Sequence, residues 1–283
     1  MYHKIFLIGL LIISQIIPSC AQTTESINTN ISVNIDELSD TFNKSALLER
    51  VKFLSLDSLE GRRTGEKGGL IARDYVISQF KKYNVSPLLN SYTQPFSFES
   101  GRNKKTYEAA NVLGVIRGSE HPEKYIVISA HYDHVGINKG QIYNGADDDA
   151  SGTSALFAMA EYFNQHPPKH SIILAAFDAE ELGLKGAYHF VEEAKSNGLN
   201  VMINVNMDMI GRNDNNELYV VGLGQNPNLK PLLENTPLPE NFKLLSGHDG
   251  LDGKQSWVFS SDHGPFHREK IPFLYFGVEA HED

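Results

Sequence analysis

Two hydrophobic patterns alternate along this chain, one with the period of a helix and one with the period of a strand. Residues 45–56, "SALLERVKFLSL", space their apolar side chains as a helix does. Residues 69–83 repeat the pattern, with Ala72, Val76, Phe80 and Tyr83 on one face. "SYTQPFSFESG" (91–101) alternates instead, and Pro95 suits a sheet edge, where a missing N–H breaks no ladder. From about residue 110, strands and helices take turns. "NVLGVIRG" (111–118) and "KYIVISA" (124–130) predict strands. Residues 151–165 predict a helix with Leu156, Met159, Ala160 and Phe163 aligned. "SIILAAF" (171–177) is a near-continuous apolar run, as expected of a strand covered on both faces. A helix over 184–197 ends at Asn197-Gly198. "NVMINVNMDMIG" (200–211), "ELYVVG" (217–222) and "IPFLYFGV" (271–278) predict further strands, with a short helix near 227–235. The expected fold is α/β, a mostly parallel mixed sheet sandwiched by helices.

The N-terminus breaks this pattern. Lys4 precedes "IFLIGLLIISQII", a run too short to span a membrane and suited to a signal peptide over residues 1–21. Cleavage before Gln22 is one expectation, and lipidation of Cys20 is the other. Both imply export, to the periplasm, the outer membrane or the medium, and only lipidation would bring a membrane partner. Residues 22–43 are polar and read as a flexible tether, leaving 44–283 as a single domain. Cys20 is the only cysteine, so a metal site in the mature fold must use His, Asp and Glu. A net charge of −10 argues against a nucleic-acid partner.

The chemistry-bearing residues gather where strands end. His131 and Asp133 follow the strand at 124–130, Glu180 and Glu181 the strand at 171–177, and Asp208 closes the strand at 200–207. Ligands of open α/β sheets collect at that edge. His131 alone reads as a core histidine, but Asp133, two positions on, would share its face and accept a bond from one ring nitrogen. The other nitrogen is then free for a metal. "NGADDDASG" (144–152) sets Asp147, Asp148 and Asp149 side by side before a helix, where a cation would relieve their repulsion. "GRRTGEKGG" (61–69) is glycine-rich but lacks the ending of a phosphate loop, so its arginines read as structural or substrate-facing.

Taken together, "HYDH", "NGADDDASG", "FDAEELGLKGA", "NVNMDMIGR" and "SDHGPF" resemble the zinc-dependent M28 peptidases, the co-catalytic aminopeptidases and their relatives. The resemblance covers about residues 45–283 and is strongest over 110–278. It implies a zinc-exopeptidase fold of the phosphorylase/hydrolase-like type and two zinc ions a few ångströms apart. It makes Asp147 the bridging carboxylate, assigns His131 and Asp208 to one zinc, and gives Glu181 to the other. Glu180 matches the general base and Asp133 the orienter of His131. A cis peptide is expected between Asp147 and Asp148, with Asp148 shaping the turn and Asp149 helping to cap the helix.

One motif departs from the family. The second zinc normally takes a C-terminal histidine, but this sequence reads "FGVEAHED" to Asp283. The expectation is a chain cut before that ligand and its closing helix. His281 matches a position that does not normally bind metal, and His248, His263 and His267 do not match the ligand position. His263 reads as a pocket or packing residue, and Asp262 as a hydrogen-bond partner near Glu180. One tightly held zinc at His131, Asp147 and Asp208 is therefore expected. The function implied is a zinc aminopeptidase acting on peptides. The alternatives are a glutaminyl cyclase of the same fold and a non-catalytic relative.

Overall fold

The computed structural model describes residues 42–234, 236–251, 253 and 255–279. The leader, the tether up to residue 41, Cys20 and His281 lie outside the described residues. Helix α1 spans Lys44–Leu54 and α2 Lys67–Lys82, joined through a 3-10 segment at Asp57–Arg62. Strands β1 (Ser86–Pro87) and β2 (Thr93–Ser100) precede β3 (Lys105–Ile116) and β4 (His121–His131). A hairpin of β5 (Gly136–Asn138) and β6 (Gln141–Tyr143) leads to α3 (Ala150–Gln165). Then come β7 (His170–Phe177), α4 (Lys185–Ser196), β8 (Asn200–Met207) and β9 (Glu217–Val221). Helix α5 (Lys230–Glu234), β10 (Lys243–Ser246), α6 (His263–Arg268) and β11 (Phe273–Gly277) complete the described chain.

Among the described residues, nine strands form one sheet in the order β1-β3-β7-β4-β8-β11-β9-β10, with β2 also on β3. Neighbours run parallel through β7, β4, β8 and β11, while β3 is antiparallel to β7 and β9 to β11. Proline-bearing β2 pairs with β3 alone, as Pro95 requires.

Strand periodicity decides the layers. Ile172, Leu174 and Ala176 of β7 join Ile126 and Ile128 of β4 in a core with Ala72, Val76 and Phe80 of α2 and Leu156 and Met159 of α3. Their alternates, Ile173, Ala175 and Phe177, turn to the opposite face and pack with Val127, Phe190 of α4 and Phe266 of α6. A strand buried on both faces has no polar position to spare, which accounts for "SIILAAF". With helices on both faces, only the strand ends remain for chemistry.

Candidate metal centre

Four segments meet beyond the carboxyl ends of β4, β7 and β8. His131 is the last residue of β4 and is followed by the coil 132–135, which carries Asp133 and His134. Asp178 to Glu181 follow β7, Asp208 follows β8, and Asp147 to Asp149 lead into α3. Ala179 and Met209 sit in the left-handed region at φ 60° and φ 56°, next to Glu180 and Asp208. For residues with a Cβ that conformation is costly and gathers at functional sites.

Two groups of donor atoms result. His131 Nε2 lies 3.2 Å from Asp148 Oδ1 and 3.6 Å from Asp208 Oδ1. His134 Nδ1 lies 2.6 Å from Glu181 Oε1 and 3.8 Å from Asp148 Oδ2. Asp148 thus offers one oxygen to each group. His131 Nε2, His134 Nδ1, Glu181 Oε1 and Asp208 Oδ1 are all buried without a hydrogen-bond partner among the described residues. Burying such atoms unpaired is costly, and histidine nitrogens with carboxylate oxygens are the donor set zinc takes. The residues therefore fit a zinc ion at each group. The 2.6 Å approach of His134 to Glu181 lacks hydrogen-bond alignment, as expected of two atoms aimed at a common third point.

The surrounding charge agrees. Burial pushes Glu180 up to about 10, with Asp262, Asp208 and Asp133 adding to it against His131. Burial likewise lifts Asp262 to about 8, helped by Asp133 and Asp208. Burial disfavours a charged His131, but Glu180, Asp208, Asp133 and Asp148 outweigh it and hold the imidazole well above its ordinary value. Burial also opposes the charge on Asp148, yet His131, His134 and Arg62 keep that carboxylate below its ordinary range. Carboxylates outnumber cations here, and added positive charge would relieve the excess.

The supporting bonds hold these groups in place. His131 Nδ1 donates to the backbone carbonyl of Asp133 at 3.1 Å, while the Asp133 carboxylate stands 3.7 Å away. That carboxylate accepts instead from the backbone N–H of Glu180 (3.1 Å) and the hydroxyl of Thr64 (3.1 Å). The expected orientation of His131 therefore comes from the main chain of Asp133, and the side chain serves Glu180. Asp149 caps α3 by accepting from Gly152 N at 2.9 Å and also takes the N–H of His131 at 3.1 Å.

Several sequence expectations change. The carboxylate between the two groups is Asp148, and the cis peptide lies at Asp148–Asp149. Asp147 is in neither group, and its Oδ1 accepts from Gly211 N at 2.6 Å. Three adjacent aspartates on an irregular turn have no period from which to choose. Asp262 is fully buried near Glu180, but its oxygens make no hydrogen bond among the described residues. His263 packs, as read, donating from Nε2 to Trp257 O (2.8 Å) and stacking on Phe273 and Tyr275. No periodicity singles out His134, although "HYDH" displays it. Chain beyond the end of β4 is coil, so strand alternation gave no reason to turn His134 towards Glu181. A cavity of about 460 Å³ opens beside Asp148, Glu180, Glu181 and Asp208, with Met209, Trp257, Tyr275 and Val278 along it.

Comparison with known proteins gives the same direction. Residues 111–283 match the model of peptidase family M28. A "probable zinc metalloprotease" of Leptosphaeria maculans is 30% identical over 247 residues, which are 82% of this chain and 56% of that one. Aminopeptidase YwaD of Bacillus subtilis is 34% identical over 171 residues, 59% of this chain and 35% of its own. The chain thus spans about half or less of the length of these relatives. The crystal structure of a zinc aminopeptidase from Bacillus subtilis superposes with a TM-score of 0.65 at 18% identity, covering 82% of this chain and 84% of that one.

Proposed function

This chain belongs to peptidase family M28, and on that premise we propose that it is a zinc-dependent aminopeptidase releasing N-terminal residues from peptides. The observation that carries the reading is the pair of donor groups joined through Asp148, four of whose buried atoms have no hydrogen-bond partner among the described residues. His131, Asp148 and Asp208 would hold one zinc, and His134, Asp148 and Glu181 a second. When bound, zinc supplies Lewis-acid polarisation of the scissile carbonyl and of the attacking water.

The chain's own residues do the rest. Glu180 belongs to neither donor group and lines the same cavity as Asp148, Glu181 and Asp208. It acts as general base towards the attacking water and then as acid towards the leaving amine. Asp133 fixes the backbone of Glu180 so that the carboxylate stays beside the donor atoms. The carboxylates along the cavity suit a free α-amine, and Trp257, Tyr275, Val278 and Met209 suit the apolar part of an N-terminal residue. The aminopeptidase name of the YwaD relative supports the exopeptidase reading. The apolar leader at residues 5–17 supports an exported enzyme.

The test is zinc analysis of the purified chain together with a screen of aminoacyl substrates and of a Gln-initiated peptide. Zinc-dependent loss of the first residue is expected. Loss of ammonia from the Gln peptide would make the chain a cyclase, and turnover that survives complete chelation would remove zinc from the reading.

A further inference from the structure

Arg62 is fully buried, yet among the described residues it meets no carboxylate at hydrogen-bond distance. Its five N–H groups all go to backbone carbonyls. Nε donates to Tyr132 O (2.9 Å), and Nη1 to Leu54 O (2.7 Å) and Asn144 O (2.6 Å). Nη2 donates to Gly145 O (3.0 Å) and Asp148 O (3.2 Å). Four of the five acceptors fall on two of the segments that carry donor atoms, and the fifth, Leu54, ends α1. Tyr132 lies between His131 and Asp133, and Asn144, Gly145 and Asp148 form the turn before α3. The main chain adds a further tie, from His134 N to Arg62 O at 3.2 Å, and Arg63 Nη1 donates to Val135 O at 2.7 Å. Glu60, Gly61 and Arg62 take left-handed φ of 50°, 70° and 52°, a turn that aims this side chain inward. A Cβ on Gly61 would stand 2.4 Å from Tyr143 O, so the turn is seated on the β5–β6 hairpin.

We propose that Arg62 is a positioning residue of the metal centre, setting the distance between the His131–His134 segment and the Asp148 segment and thereby the zinc affinity. It touches neither metal nor substrate. Its planar fork reaches five carbonyls at once, whereas a lysine has one nitrogen and three N–H donors. Its buried charge also offsets the neighbouring Asp148, Asp149, Asp133 and Glu181. The proposal rests on the zinc reading above, and the experiment separates the two.

The full chain is stripped of metal and titrated with Zn²⁺ against a chelating dye, and separately with Co²⁺ to record its visible absorption. Arg62→Lys is expected to melt cooperatively, to lose about 10–100-fold in zinc affinity and to change the cobalt spectrum. Arg50→Lys is the control. Arg50 is also buried, bonded to Glu161 (3.1 Å) and to the hydroxyl of Tyr83, away from the donor groups. It is expected to lower the melting temperature and leave zinc affinity unchanged. Wild-type affinity in Arg62→Lys, or a loss no larger than that of Arg50→Lys at equal melting temperature, overturns the proposal. A parent chain that binds no zinc overturns the metal reading instead. Should Arg62→Lys fail to fold, Gly61→Ala decides. Its methyl would stand 2.4 Å from Tyr143 O and 2.7 Å from Gly136 O, shifting the turn that aims Arg62 without meeting a donor residue. A folded Gly61→Ala with weakened zinc supports the proposal, and one with unchanged zinc overturns it.

Discussion

Neighbouring aspartates on one turn make opposite predictions when each is changed to asparagine. Asp148→Asn keeps the shape but removes the charge from the one carboxylate that faces both histidines, at 3.2 Å from His131 Nε2 and 3.8 Å from His134 Nδ1. Its side chain is 26% exposed, so water screens it only partly. Removing one partner from a buried charge pair costs about 3–5 kcal/mol, roughly a hundredfold to a few thousandfold at about 1.4 kcal/mol per decade. Because Asp148 serves both groups, both affinities should fall by at least the lower figure. Asp147→Asn keeps an oxygen to accept from Gly211 N, now at 2.6 Å, and changes no atom of either group. Its effect on zinc should stay within about tenfold, in line with a loss outside the ligand set. Zinc titration of the two stripped variants, each checked for cooperative melting, measures the contrast. A chain that loses zinc with Asp147→Asn and keeps it with Asp148→Asn would refute the placement of the bridge.

Other substitutions probe the remaining parts. Glu180→Gln should retain zinc and lose about two to four orders of magnitude in turnover, measured as kcat at saturating substrate. His134→Ala should lower bound zinc from two ions per chain to one while His131→Ala spares the His134 group, as metal analysis after equilibrium dialysis can read. Acid should expose His263. Burial pulls its pKa down to about 3, so between about 6.5 and 3 the unfolded chain binds a proton that the native chain refuses. Its contribution to stability is therefore lost as pH falls through that window, by about 1.4 kcal/mol per pH unit. Urea unfolding of the stripped chain at two pH values should give slopes for the parent and for His263→Gln that differ by about that amount.

The parts of the fold that were legible are those with enough residues to show a period. In β7, the six unbroken apolar residues from Ile172 to Phe177 required cover on both faces, and α3 and α4 supply it on opposite sides. Helix α2 showed itself through Ala72, Val76 and Phe80, all fully buried. The parts that escaped are short. β5 and β6 have three residues each and β10 has four, too few to separate alternation from chance. The first half of β3 also escaped, because Lys105 to Ala110 mix exposed and buried positions at the edge that pairs with β2.

The donor atoms sit on chain that is neither helix nor strand, and this limits what spacing can say about them. His131 was legible because it ends a strand whose register fixes its direction, and Asp208 because it follows β8 directly. His134 and Asp148 lie on coil whose course is set by a residue far away in sequence. Arg62 is 70 positions before Tyr132 and 86 before Asp148, yet it bonds to both carbonyls. No local pattern around "HYDH" or "NGADDDASG" records that contact. The sequence displays the other half of it in "GRRTG", a glycine-supported turn bearing an arginine with no phosphate loop to serve. A buried arginine must find five acceptors, and irregular coil is where free carbonyls are available. The ambiguity among Asp147, Asp148 and His134 and the unassigned arginine of the early loop are therefore one structural fact, seen from two ends of the chain.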